Sequence, residues 1–158
     1  MKTLVVYYSR TGVTRTVAQA LAGRLRADVE ELRDRKNRSG ARGWFGACFD
    51  AACKRLTEIE PPTRDAAAYD LVLIGTPVWA FAMAPAVRTY LSRCGPTIRK
   101  AAFFCTMGGS GDRKTFAHMA RVLGREPVST LALLEKDVRS GAFVGPVESL
   151  IGRLTAGG

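Results

Sequence analysis

Short apolar runs alternate with segments of helical periodicity along this chain. Leu4–Tyr8 and Leu71–Ile74 are continuous apolar runs, which are typical of central strands in a parallel sheet. Each strand-like run is followed by apolar residues spaced three and four apart, and that spacing indicates a helix. Five strands and five helices in alternation predict an α/β domain, a parallel sheet covered on both faces through right-handed crossovers.

The pattern fills the chain without a repeat or a linker, so residues 1–158 are predicted to form one domain. The other strands are predicted at 28–32, 101–105 and 128–134. The helices are placed by their apolar stripes, which we expect to be buried: Val17, Leu21 and Leu25; Phe45, Cys48, Phe49, Ala52, Cys53 and Leu56; Val87, Tyr90 and Leu91; Phe116, Met119, Ala120 and Leu123; Val147, Leu150, Ile151 and Leu154.

The distribution of apolar residues predicts a soluble, cytoplasmic protein. The run after Lys2 is too short for an export signal. The longest uncharged stretch, 71–87, is interrupted by Gly75, Pro77 and Pro85, so we expect no membrane insertion. The four cysteines form no Cys-x-x-Cys pair and are expected to be buried structural thiols, with no metal site.

The net charge of +10 favours acidic partners, nucleic acid or an anionic surface. Much of this charge lies between Arg33 and Arg42, where five basic residues face one acid, Asp34. The simplest interpretation is a solvated basic loop. Nucleic acid is the less favoured partner, because no aromatic residue is interleaved in the stretch to stack on bases.

Three loops follow the first, third and fourth predicted strands, and ligands of open parallel sheets bind at the carboxyl ends of the strands. The first loop is Ser9-Arg10-Thr11-Gly12-Val13-Thr14, which opens directly onto a helix. Hydroxyls, a glycine and the free amides of a helix N-terminus suit a phosphate group. A plain helix cap with incidental hydroxyls is the alternative.

The second loop is Thr76-Pro77-Val78-Trp79-Ala80-Phe81-Ala82-Met83, and Trp79 in it is a natural stacking platform for an aromatic ring system. A hydrophobic loop folded onto the core, or a homodimer contact, is the alternative. The third loop is Thr106-Met107-Gly108-Gly109-Ser110-Gly111, whose glycines allow backbone amides to approach a ligand. A mobile turn is the alternative for this loop.

Taken together, the three loops resemble those of the flavodoxins. Tyr8 to Thr14 is similar to their FMN phosphate loop, Gly75 to Pro85 to the isoalloxazine loop of short bacterial members, and 106–111 to their third loop. The resemblance implies a flavodoxin-like three-layer sandwich with strand order 2-1-3-4-5 and FMN as the cofactor. It also implies that these three loops hold the cofactor and that no residue acts as acid, base or nucleophile.

Two departures from the family bear on the flavin. Many flavodoxins are acidic, whereas this chain is basic, so we expect a less strongly reducing flavin. The glycine that lies beside the flavin in well-studied members is also missing. Ala80 takes its place, and positive φ is less accessible to alanine.

The resemblance leaves two redox functions open. The first is an electron carrier between redox partner proteins, which the basic surface suggests are acidic. The second is an FMN-dependent reductase that uses NAD(P)H to reduce quinones or related acceptors. The absence of a recognisable nicotinamide-binding motif favours the carrier. A basic module that binds nucleic acid or an acidic protein is the third, less favoured class.

Overall fold

The computed structural model describes residues 1–156 and shows a parallel sheet between two layers of helices. The strands are β1 (Thr3–Tyr7), β2 (Asp28–Glu31), β3 (Leu71–Trp79), β4 (Ala82–Met83), β5 (Ala101–Met107) and β6 (Thr130–Leu134). The helices are α1 (Val13–Leu25), α2 (Gly40–Ala52), α3 (Pro85–Cys94), α4 (Asp112–Leu123), α5 (Glu135–Ser140) and α6 (Val144–Ala156).

The five long strands are parallel and lie in the order β2-β1-β3-β5-β6, with β4 paired only to β3. Counted without β4, this is the predicted order 2-1-3-4-5, so the predicted fold class is confirmed. The order reverses between β1 and β3, and the loops after β1, β3 and β5 therefore meet at one edge of the sheet.

Each face of the sheet has its own apolar core. One core packs α1, α5 and α6 on the sheet through Val17, Leu21, Val138 and Leu150. The other packs α2, α3 and α4 through residues that include Ala47, Tyr90 and Met119. The central strands are covered on both faces, which explains why their sequences are continuous apolar runs.

The third strand is longer than predicted, and this corrects the second loop. Thr76 to Trp79 continue β3, and the chain then turns back so that Val78 pairs with Met83 and Trp79 with Ala82 in an antiparallel hairpin. Only Ala80 and Phe81 form the connection. The hairpin extends past the sheet edge and fixes the backbone of the segment that the sequence predicts as a loop.

Two residues of the hairpin turn that are not glycine have positive φ, +48° for Ala80 and +61° for Phe81. The expectation that Ala80 avoids this region is therefore wrong. Two-residue connections between twisted strands favour type I′ or type II′ turns, and a type I′ turn has positive φ at both central positions, as found here.

Replacing Ala80 with glycine is expected to stabilise the protein. A left-handed alanine costs about 1–2 kcal/mol, part of which glycine's larger unfolded-state entropy cancels, so we expect a net gain of about 0.5–1 kcal/mol in urea unfolding. Ala82→Gly is the matched control. Ala82 is buried in β4 and has no positive φ, so loss of its methyl group should destabilise the protein. Equal destabilisation by both changes would show that the turn does not hold Ala80 at positive φ.

The second helix exposes most of the apolar stripe that the sequence predicts to be buried, although Cys48 packs partly against the core. Phe45 is 73% exposed, and Phe49 and Leu56 also face solvent, with Leu56 lying beyond the helix. The inward side consists of Ala47, Ala51 and Asp50. Small side chains let the helix approach the sheet closely, and Asp50 is turned inward because its ion pairs lie there.

The basic stretch is not simply a solvated loop. The Arg38 side chain is only 3% exposed; its Nε donates to Asp34 at 2.5 Å and its Nη1 to Asp50 at 3.1 Å. Lys36 Nζ also donates to Asp50 at 2.6 Å. This buried network ties the start of the basic stretch to α2, while Arg33 and Arg35 remain exposed as predicted.

The cysteines differ in their surroundings. Cys105 is fully buried in β5, where burial raises the pKa of its thiol to about 12. Cys48 and Cys94 are partly buried, whereas Cys53 is exposed just after α2. The prediction of a buried thiol is therefore wrong for Cys53, because the face of α2 is inverted.

The carboxyl-terminal third agrees with the predicted pattern except for one extra helix. The predicted stripe of the last helix is confirmed at Val147, Leu150 and Leu154, which are buried. The additional helix α5 follows β6 without a loop. Among residues 1–156, no helix has the length and apolar character needed to cross a membrane.

Candidate functional site

A cavity of about 570 Å³ opens at the carboxyl edge of the sheet, beside the switch between β1 and β3. It is bounded by the loop after β1, the start of α2, the end of β3, the loop after β5 and helix α5. Its lining residues are Arg10, Thr11, Val13, Thr14, Gly40, Ala41, Trp44, Pro77, Val78, Trp79, Thr106, Gly108, Glu135 and Arg139.

The first loop is shaped by Ser9 and Gly12. The Ser9 hydroxyl oxygen accepts from the N–H groups of Gly12 at 3.1 Å and Arg15 at 3.3 Å. Gly12 caps α1 at φ +95°, a conformation that favours glycine. The N–H groups of Val13 and Thr14 have no acceptor within residues 1–156, so they remain available to an anion at the positive end of α1.

Arg10 points away from the loop amides and holds the neighbouring segment. Its Nε donates to the Arg38 carbonyl at 2.9 Å and its Nη2 to the Gly40 carbonyl at 3.3 Å. The guanidinium also lies 5.2 Å from the Trp44 ring centroid. Arg10 therefore lines the cavity as a structural clamp, with part of its donor capacity already used.

Thr14 joins the first loop to the third. Its hydroxyl oxygen lies 2.8 Å from that of Thr106, and both side chains are buried. Each hydroxyl uses the other as its partner, so the first turn of α1 is linked to the carboxyl end of β5 beside the cavity.

Aromatic side chains form one wall of the cavity. The Trp79 ring is 3% exposed and meets Tyr8 and Trp44 edge-on, at centroid distances of 5.5 and 5.8 Å. Trp44 is 37% exposed and is the more accessible of the two indoles. Burial, followed by the charge of Asp34, raises the pKa of Tyr8, so its phenol stays neutral.

The third loop contributes open backbone. An added Cβ at Gly108 or Gly109 would meet no atom within 4 Å, so the space beside them is free for a ligand. Gly111 differs: its φ is +115°, and an added Cβ would lie 2.9 Å from Val78 and 3.0 Å from Phe81. Glycine at 111 therefore lets the third loop close on the β3–β4 hairpin.

The structure brings part of the predicted site together around the cavity. Nine of the predicted residues line it: Arg10, Thr11, Val13, Thr14, Pro77, Val78, Trp79, Thr106 and Gly108. Ser9, Gly12 and Gly111 shape loops instead. The Thr76 hydroxyl is buried, donating to the Pro77 carbonyl and accepting from Ala84 N–H. Ala80 and Phe81 form the exposed turn, and Met107, Gly109 and Ser110 lie beside the cavity mouth without lining it.

Two segments that the sequence does not predict as part of the site also line the cavity. Gly40, Ala41 and Trp44 come from α2, and Glu135 and Arg139 from α5. Arg139 also borders a second depression with Thr11, Gly12 and Thr16, directly over the first loop. The basic, glycine-containing sequence before Trp44 was the available signal for α2, whereas nothing local marked Arg139.

These features define an open α/β protein with a ligand cavity at the topological switch of its sheet. The flavodoxin family model matches residues 2–136. The chain therefore belongs to the flavodoxin family. Among curated protein sequences, none matches it significantly.

Solved structures share this fold. A flavoprotein of Lactobacillus acidophilus NCFM in complex with FMN is 25% identical, with 88% of this chain and 97% of that chain covered and a TM-score of 0.73. A WrbA-like flavodoxin from Agrobacterium tumefaciens is 15% identical, with 98% of each chain covered and a TM-score of 0.58. Two-electron reduced Megasphaera elsdenii flavodoxin is 19% identical, with 83% of this chain and 85% of that chain covered and a TM-score of 0.51.

Proposed function

We propose that the cavity binds FMN and that the protein transfers electrons through it. The observation that carries this proposal is the convergence of free helix amides, an aromatic wall and glycine backbone on one cavity of about 570 Å³. That volume lies in the range of roughly 300–1,000 Å³ typical of cofactor sites. The FMN complex of the Lactobacillus acidophilus flavoprotein supports the same ligand.

The residues present fit FMN in three respects. The amides of Val13 and Thr14 suit a phosphate, and their donors are uncommitted. Trp44, the more accessible indole, suits a planar ring, with the buried Trp79 behind it. The empty space beside Gly108 and Gly109 lets backbone reach the ring edge.

FMN, when bound, supplies the redox chemistry itself. The task of the chain is then to orient it: the first loop holds the phosphate, the β3–β4 hairpin and Trp44 limit the ring on one side, and 106–111 limits it on the other. Glu135 and the cations Arg10 and Arg139 set the local charge. The positive balance of this set favours a reduced, anionic ligand over a neutral one.

The carrier function is favoured over the reductase by the charge of α2 and its flank, a surface that begins at the cavity and runs away from it. The exposed charges of α2 and its flank, Arg42, Lys54 and Arg55, are all positive, and Arg55 lies 5.1 Å from the exposed Phe49 ring. With a net charge of +10, the surface suits acidic redox proteins as partners. A reductase would instead admit NAD(P)H and a quinone to the same cavity.

The visible absorption spectrum of the purified protein, before and after incubation with FMN and removal of the excess, tests cofactor binding. We expect bands of bound oxidised flavin and one released FMN per chain. A protein that retains none after reconstitution would contradict the proposal, and riboflavin, which lacks the phosphate, serves as the control ligand.

Turnover distinguishes the carrier from the reductase. A carrier is expected to oxidise NADPH with quinone only at the slow rate of free FMN, and to exchange electrons with an acidic ferredoxin at a rate that falls as salt rises. Sustained NADPH oxidation well above free FMN would establish the reductase instead.

Replacing Arg139 with methionine is expected to weaken FMN binding about tenfold, since a charged hydrogen bond to phosphate contributes roughly 1.5–3 kcal/mol. Isothermal titration of FMN and riboflavin measures it. Riboflavin affinity should not change, because the lost contact is to the phosphate. Lys136→Met, on the same helix but outside the cavity, is the control. If Arg139→Met lost affinity equally for FMN and riboflavin, a contact between Arg139 and the phosphate would be refuted.

A further inference from the structure

A buried arginine on α3 lacks the partner that such a group needs. Arg88 is 7% exposed, and its Nε and Nη2 atoms are inaccessible and make no hydrogen bond within residues 1–156. No acidic side chain forms an ion pair with it in this part of the chain. Burial lowers the pKa of Arg88, yet a guanidinium remains charged in proteins, so the site contains a positive charge without compensation.

His118 on α4 belongs to the same cluster. Helices α3 and α4 pack together, and the Nδ1 atom of His118 is buried without a hydrogen-bond partner among the described residues. Burial lowers the pKa of His118, and the positive charges of Lys54, Arg88, Arg121 and Lys114 lower it further. Arg88 and His118 are thus two buried polar groups without a partner among the described residues, on two helices that pack together.

A third segment completes the cluster. The Thr57 N–H donates to the Thr89 hydroxyl at 3.0 Å, and that hydroxyl donates to the Thr57 carbonyl at 2.9 Å. These two bonds fix the chain that follows α2 against α3, next to Arg88. Lys54 lies on this chain and is exposed, so the cluster has a cationic rim that solvent can reach.

We propose that Arg88 and His118, with Lys54 and Lys114 at the rim, bind a phosphate-class oxyanion. The planar fork of arginine donates two parallel hydrogen bonds to such a group, and Nε and Nη2 are the two donors that are free. The positive charges of Lys54, Arg88 and Lys114 all act on His118, and several cations favour a dianion over a single carboxylate. The phosphate is either the free ion or a phosphomonoester of a nucleotide.

This site is separate from the cavity at the sheet edge. None of Arg88, His118, Lys54 or Lys114 lines that cavity. Anion binding would compensate the buried charge and stabilise the folded chain in proportion to ligand concentration. The inference does not depend on FMN, and FMN-saturated protein is the form to test, because the phosphate loop is then occupied.

His118 is the single histidine of the chain, so its imidazole gives one set of NMR signals that reports on this site alone. We would titrate the FMN-saturated and FMN-free proteins with sulfate, a dianion across neutral pH, at ionic strength held constant with chloride. We expect a saturable shift of the imidazole signals and a higher His118 pKa with bound sulfate. A response as large to chloride, or one that never saturates, overturns the proposal.

Arg88→Met is the decisive variant. It should weaken sulfate binding at least tenfold, and because it removes an uncompensated buried charge it should still fold. Lys100→Met, exposed and outside the cluster, is the control. Unchanged binding in Arg88→Met overturns the assignment, since an ion held only by the exposed lysines would behave in that way.

A second titration identifies the source of the phosphate. Adenosine 2′,5′-bisphosphate that binds at least tenfold more tightly than inorganic phosphate indicates a nucleotide, and equal affinity indicates the free ion. Failure of both probes to shift the His118 signals, with FMN bound normally, overturns the anion site and leaves the proposed function intact.

Discussion

Arg38→Met is expected to lower the free energy of unfolding by about 3–5 kcal/mol, the usual cost of removing one partner from a buried ion pair. Arg38 is 3% exposed and hydrogen-bonds to both Asp34 and Asp50. Without it, two buried carboxylates lose a cation, although Asp50 retains Lys36. Urea unfolding with a two-state fit measures the change.

The matched control is Arg35→Met in the same stretch. Arg35 is 60% exposed and lies 3.7 Å from Glu58, so its loss should change stability by less than about 1 kcal/mol. The two variants carry the same charge change. Similar unfolding energies for both would contradict a structural role for the buried network.

Low pH should also destabilise the protein, through the same buried network that Arg38→Met disrupts. Burial alone would raise the pKa of Asp50, but hydrogen bonds from Lys36 and Arg38 outweigh it and the pKa is lowered. A lowered folded-state pKa stabilises the protein above the unfolded value of about 3.9 and loses that contribution as pH falls through the folded value. Asp50→Asn should therefore flatten the stability profile at acidic pH.

Gly75→Ala is expected to destabilise the protein by about 3 kcal/mol, at the upper end of overpacking effects. Gly75 lies in β3 opposite Phe104 of β5, and an added Cβ would be 2.0 Å from the Phe104 Cζ. The Phe104 ring is fully buried, so it cannot move aside without disturbing the core. Thermal and urea unfolding measure the loss.

A second substitution tests the cause. Phe104→Leu shortens the ring that obstructs the new methyl group, so the double variant should be more stable than the sum of the single effects predicts. Gly108→Ala, whose Cβ would meet nothing within 4 Å, should change stability by less than about 0.5 kcal/mol. Strict additivity in the double variant would rule out the steric explanation.

The strand order and the meeting of the three loops were predictable because both depend on patterns that extend over many residues. Leu4–Tyr8 and Leu71–Ile74 are apolar enough to identify central strands, and the rule for parallel sheets then locates the site. The turn at Ala80 and Phe81 was not predictable, since neither residue is a usual signal for it. Pairing between β3 and β4 determines its geometry.

The inversion of α2 has a different cause. Periodicity identifies the faces of a helix but does not say which face packs on the sheet. The prediction assumed that the bulky side chains of α2 face inward. Ala47 and Ala51 instead allow close packing, and Asp50 faces a cation located twelve residues earlier, Arg38. Helix α5 was missed because its six residues bury only Val138, which is too little for a detectable stripe.

The bonds between loops have a consequence for the thermodynamics of ligand capture. Thr14 binds Thr106, and Arg10 binds the carbonyls of Arg38 and Gly40, so the walls of the cavity are joined before any ligand arrives. The conformational entropy of these loops is lost during folding and need not be lost again on association. A cofactor therefore meets a rigid receptor, and its affinity is set mainly by the contacts it makes.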